Sequence, residues 1–138
     1  HDVGKMQVDS ETLNKKGRLT AAEWEELKSH PALGLDLLHN RRDVGSTELR
    51  MVHQHHEKLD GSGYPSGLIG SEIAPEAQLT AVVDIYDALT CKRAYREAMP
   101  HAKAAAILQE ESRAKVNADM ARLWEETAHR AAKAEEQT

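Results

Sequence analysis

Four glycines, Gly61, Gly63, Gly67 and Gly70, fall within residues 60–71, a density that neither helix nor strand tolerates. This stretch is therefore a structured loop, and the rest of the chain must fold around it. Alanine, leucine, glutamate and lysine are plentiful elsewhere and phenylalanine is absent, which favours helix. No segment alternates apolar and polar residues convincingly, none repeats, and no linker divides the chain. The expected fold class is all-α, a compact bundle with one long functional loop. A chain of 138 residues suits a single domain over 1–138, and a domain of about 150 residues buries roughly 70% of its unfolded surface.

Local signals place the helices. Thr20-Ala21-Ala22-Glu23 is a capping box, in which the Thr20 hydroxyl accepts from the Glu23 amide and the Glu23 carboxylate reaches back. A helix runs from there to about Ser29, with a short apolar stripe of Trp24 and Leu27, and Pro31 prevents its regular continuation. Leu35, Leu37 and Leu38 suit a further short helix, and Gly45-Ser46 breaks the chain again. Residues 47–57 read as a helix with Leu49, Val52 and His56 on one stripe, so His56 is expected to face inward with His55 beside it. The best helix spans 76–92, with Leu79, Val82, Val83, Tyr86 and Leu89 as its apolar face. Two alanine-rich helices, about 102–113 and 118–135, follow, with Ile107, Leu108, Leu123 and Trp124 as ordinary packing residues. Residues 1–8 are short and mixed, a loop with Lys15-Lys16-Gly17 as its turn follows, and the last residues fray.

Composition narrows the function. A formal net charge of -5 argues against a broad nucleic-acid surface, so an anionic substrate needs local cations, from side chains or metals. Cys91 is the single cysteine, which excludes an intramolecular disulfide and fits a reducing compartment. No run of about 18 apolar residues spans a membrane, and no signal peptide is visible. The expected location is cytoplasmic.

The histidines carry the chemistry. Neutral imidazoles are common metal ligands, and His55-His56 feeds directly into the glycine loop. His1-Asp2 forms a second adjacent pair, and His30 and Asp84 stand singly. Asp84 lies between Val83 and Ile85, and a carboxylate among apolar neighbours needs a partner or a cation. This spacing is unlike a zinc finger, which takes Cys and His from tight local pairs. It suits a bundle in which several helices point ligands inward. Imidazole and carboxylate together favour Fe, Mn, Zn or Co over Mg or Ca. Two such metals about 3.5–4 Å apart can stabilise an in-line displacement at phosphorus. His53 points away from His55 along a helix, His39, His101 and His129 read as surface residues, and Asp87 and Glu57 read as structural supports.

With these residues in order, the sequence resembles the HD-GYP domain, a branch of the HD phosphohydrolase superfamily that hydrolyses cyclic di-GMP. The anchors are His1-Asp2-Val3-Gly4-Lys5, Leu13-Asn14-Lys15 before Leu19-Thr20, His30-Pro31 followed by Gly34, and His55-His56-Glu57. They continue with Asp60-Gly61-Ser62-Gly63-Tyr64-Pro65, Asp84-Ile85-Tyr86-Asp87-Ala88-Leu89-Thr90 and Arg93-Ala94-Tyr95-Arg96. The likeness is close over residues 1 to about 96 and looser beyond.

The resemblance implies a helical HD-domain bundle with a glycine-rich GYP loop, truncated at its N-terminus, since family members carry helices ahead of the His-Asp pair. It implies two divalent transition-metal ions, Fe or Mn first, with Zn, Ni or Co behind them. His1, Asp2 and Asp84 would hold the first; Asp2 would bridge; His30, His55 and His56 would hold the second. Lys5 would lie beside the scissile phosphate, where an ammonium offsets growing charge. Arg93 and Arg96 would contact the nucleotide, as a guanidinium fork suits phosphate or a guanine edge. Tyr64 would serve substrate docking or contacts with a GGDEF, receiver or other regulatory domain, and a homodimer is a further expectation. The implied reaction is hydrolysis of cyclic di-GMP to linear pGpG or GMP. The alternatives are a catalytically impaired module that binds nucleotide or a partner domain, and a phosphohydrolase for another cyclic dinucleotide. Lys92 stands where the family writes aspartate, which inverts a charge beside the expected nucleotide contacts.

Overall fold

A computed structural model describes residues 1–92 and 97–135. The described residues are helical, without a β-strand, as the sequence predicts. The helices are α1 (Ser10–Asn14), α2 (Ala21–Lys28), α3 (His30–Leu38), α4 (Ser46–Gln54), α5 (Pro75–Thr90), α6 (His101–Glu111) and α7 (Ala118–Glu135). A 3-10 segment, Val3–Gln7, precedes them. No helix among the described residues is long and apolar enough to cross a membrane. The chain forms two compact units, residues 1–77 and 78–138, with the boundary inside α5.

In the first unit the 3-10 segment lies against α3, and α3 against α4. Gly4 makes the first approach possible: a Cβ there would overlap the His30 carbonyl oxygen and sit 2.6 Å from the Gly34 nitrogen. Gly34 in turn gives room to a Val52 methyl of α4, which an added Cβ would meet at 2.7 Å. The 3-10 segment and α3 therefore meet backbone to backbone, and α3 takes a side chain of α4 against its own backbone. The helix starts follow ordinary capping physics. Thr20 and Glu23 form the expected capping box on α2. Asp9 accepts from the Glu11 amide at 2.7 Å to cap α1, and the Glu26 carboxylate ties α1 to α2 by accepting from the Asp9 amide and the Thr12 hydroxyl, both at 2.8 Å.

The second unit is organised around Val82, Leu108, Val116 and Ala121, with Ile85, Met120 and Trp124 packed against them. Asn117 caps α7, its side-chain oxygen accepting from the Met120 amide at 3.1 Å.

Several expectations need correction. The mixed N-terminal stretch contains a 3-10 segment and α1, which are too short to show a periodic stripe. Helix α3 begins at His30, one residue before Pro31, because proline is tolerated in a first turn, where its missing N–H has no partner to lose. Helix α4 ends at Gln54, so the inward residue is His55, fully buried, while His56 is half-buried. Trp24 is 44% exposed, and Leu79 and Leu123 are exposed rather than packed. His101 is half-buried, its Nδ1 2.6 Å from the Tyr86 hydroxyl, whereas His39 and His129 lie on the surface as expected.

Candidate metal centre

The close approach at Gly4 sets Asp2 beside the first turn of α3 and the end of α4. His30 and His55 are each 1% exposed. The His30 Nδ1 is 2.7 Å from the Leu27 carbonyl, and the His55 Nδ1 is 2.9 Å from the Val52 carbonyl. A carbonyl can only accept, so each Nδ1 carries the proton and donates. A neutral imidazole has one N–H, which leaves the two Nε2 atoms with outward lone pairs. These atoms are 3.2 Å apart, and Asp2 Oδ1 lies 3.3 Å from one and 3.5 Å from the other.

Asp2 Oδ1 is buried without a hydrogen bond. Burial works against its ionised form, whereas the Lys5 ammonium on the other carboxylate oxygen favours it. Three electron-rich atoms thus converge on one point, which is stable only with positive charge between them. His56 completes the group: Asp2, His30, His55 and His56 each offer an atom within 4.8 Å of the others, a set able to hold a metal ion. Backbone hydrogen bonds that fix the tautomer and orientation of the ligating imidazoles are the usual support of such sites. The residues present therefore fit a divalent metal.

The other Asp2 oxygen faces away from this point. Oδ2 accepts from the Lys5 ammonium at 2.7 Å, and His1 Nε2 lies 3.7 Å from it. The His1 and His55 rings meet edge to face at 4.7 Å. The first unit thus gathers His1, Asp2, Lys5, His30, His55 and His56. Asp84 is half-buried on α5 in the second unit. Arg93 and Arg96 lie outside the described residues.

The glycine loop is fastened directly to the His55-His56 pair. Glu57, 3% exposed, accepts from the amides of Ser66 at 2.7 Å and Leu68 at 2.9 Å. The Tyr64 amide donates to the His56 carbonyl at 3.2 Å. Asp60 and Ile69 form an isolated antiparallel bridge that closes the loop, and Gly61, with φ 81°, turns the chain at its start. Gly63 packs against the Lys58 amide and the His56 carbonyl too closely for any Cβ. The structural role read for Glu57 from the sequence takes this form: its carboxylate holds amides nine and eleven residues away, partners that the sequence does not name.

Helix ends that bring imidazoles and a carboxylate to one buried point define an all-α domain built around a His–Asp metal cradle. A family model described as HD domain matches residues 1–120, and the chain belongs to that family. It is 44% identical over 110 residues to 3'3'-cGAMP-specific phosphodiesterase 3 of Vibrio cholerae, covering 80% of this chain and 24% of that protein. It is 42% identical over 102 residues to the cyclic di-GMP phosphodiesterase response regulator RpfG of Xanthomonas campestris, covering 71% of this chain and 26% of that protein. The chain thus spans about a quarter of the length of these curated relatives. Among solved structures, Bd1817, a HDG"Y"P protein from Bdellovibrio bacteriovorus, superposes with a TM-score of 0.73 at 22% identity. That match covers 94% of this chain and 40% of the other, and the shared fold agrees with the expected HD bundle.

Proposed function

We propose that this chain is the catalytic part of a metal-dependent phosphodiesterase that hydrolyses cyclic di-GMP to linear pGpG or GMP. The observation that carries the reading is the convergence of Asp2 Oδ1 with the Nε2 atoms of His30 and His55, all three acceptors, on one buried point. Relatives named as phosphodiesterases of cyclic dinucleotides support the substrate class. In this reading His30, His55, His56 and Asp2 hold one divalent ion, Fe or Mn before Zn, Ni or Co. A further ion is assigned to His1, Asp2 and Asp84 from the sequence motif alone. Bound there, such ions supply Lewis-acid stabilisation of charge developing on a phosphoryl group.

The protein's own residues do the rest. The backbone bonds of His30 and His55 keep their Nε2 lone pairs directed at the site. Lys5, half-buried beside Asp2, offers an ammonium to the non-bridging phosphate oxygens, where charge grows in the transition state. Arg93 and Arg96 are assigned to the nucleotide from the sequence motif alone.

A second reading, 3'3'-cGAMP as the substrate, is favoured by the 44% identity to an enzyme named for that specificity. The test is incubation of the Mn- or Fe-loaded protein with each cyclic dinucleotide and separation of the products by chromatography. Linear dinucleotide or mononucleotide from cyclic di-GMP is the expected result. Turnover of 3'3'-cGAMP alone selects the second reading, and turnover of neither refutes both.

A further inference from the structure

The ligand imidazoles are restrained in two ways. His30 and His55 are fixed through Nδ1 by backbone carbonyls. His56 is gripped by rings: Tyr64 stacks on its face with centroids 4.8 Å apart and planes inclined by 21°. His30 meets it edge to face at 5.0 Å, and His55 lies tilted at 4.2 Å. Tyr64 is itself braced by Trp24 of α2, whose indole meets it edge-on at 6.2 Å and 79°. The loop fixes the Tyr64 backbone, since the Tyr64 amide donates to the His56 carbonyl and no Cβ fits at Gly63. Trp24 is 44% exposed, too open to be explained as core.

We infer that Trp24 and Tyr64 are positioning residues that hold the His56 imidazole plane in its ligating orientation through a Trp24–Tyr64–His56 ring stack. This rests on the metal reading above and assigns these two rings a task distinct from contact with substrate or partner. The aromatic ring of Tyr64 carries the effect. Aromatic pairs of this geometry are favourable beyond the area they bury, and residues that orient a metal-bound histidine typically change metal affinity by about 10- to 100-fold when lost.

The experiment is titration of the chelator-stripped protein with cobalt(II), read by calorimetry and by the visible absorption of the ion, with no substrate present. Tyr64→Leu is expected to weaken cobalt binding roughly tenfold or more and to alter the spectrum. Tyr64→Phe is expected to match the wild type in both, and Trp24→Ala to weaken binding in the same direction by a smaller factor. Equal affinity and spectrum in Tyr64→Leu would overturn the inference while leaving the metal site standing. So would a loss in Tyr64→Phe as large as in Tyr64→Leu, because it would place the effect on the hydroxyl. Should Tyr64→Leu lose its helical circular dichroism, Trp24→Ala carries the test, and unchanged cobalt binding there overturns the stack. Wild-type protein that binds no cobalt refutes the metal reading itself, and this inference with it.

Discussion

Replacing Gly4 with alanine tests how the site is assembled, because Gly4 touches no ligand through a side chain. The new methyl would overlap the His30 carbonyl oxygen and stand 2.6 Å from the Gly34 nitrogen, where ordinary contact begins at 3.4 Å. The 3-10 segment must retreat from α3 by at least about 0.8 Å on the nitrogen alone, and the carbonyl demands more. Both obstacles are backbone inside one helix, so neither can swing aside. Overpacking of this kind costs about 1–3 kcal/mol, and a backbone clash belongs at the upper end. For a chain of this size that is roughly a 10 °C fall in Tm.

The same retreat carries Asp2 away from the imidazoles. Contacts of 3.3 and 3.5 Å to Oδ1 open beyond about 4 Å, and metal affinity falls roughly tenfold or more. Urea denaturation of the stripped protein reads the first effect, and manganese titration reads the second. Gly17→Ala is the control, since a Cβ there meets nothing within 4 Å; it should be neutral or add about 0.4–1 kcal/mol through the unfolded chain. Gly4→Ala with an unchanged urea midpoint and unchanged manganese affinity would refute the argument that this crossing places Asp2.

Other perturbations separate scaffold from chemistry. Glu57→Ala strands the Ser66 and Leu68 amides and should cost about 3 kcal/mol, with the glycine loop opening first; limited proteolysis that leaves residues 60–70 protected would contradict it. His55→Ala and Asp84→Ala should each lower the metal bound per chain, measured by elemental analysis, and full retention in either removes that residue from the ligand set. Lys5→Met should change stability by less than about 1 kcal/mol, as its pair with Asp2 is half exposed, yet slow turnover by about 10²–10³-fold; equal turnover by chromatographic assay removes Lys5 from the reaction.

The sequence by itself determined the helical class, the long loop and which side chains are candidate ligands. Helix propensity, a Thr20–Glu23 capping box and a cluster of glycines act over a few residues, and such local physics can be read along a chain. The ordered His-Asp, His-Pro and His-His motifs identify the ligand types because metal chemistry restricts which side chains serve. What the sequence misjudged is instructive: period alone put His56 inward, but α4 ends at Gln54, and His55 is the buried residue while His56 is half-buried. Only the tertiary structure decided the convergence. That Gly4 meets His30 across 26 residues, that Val52 and Leu27 carbonyls fix two imidazole tautomers, and that Trp24 braces Tyr64 against His56 depend on distances between segments remote along the chain. Those distances are set by how closely backbones pack, which no local pattern records.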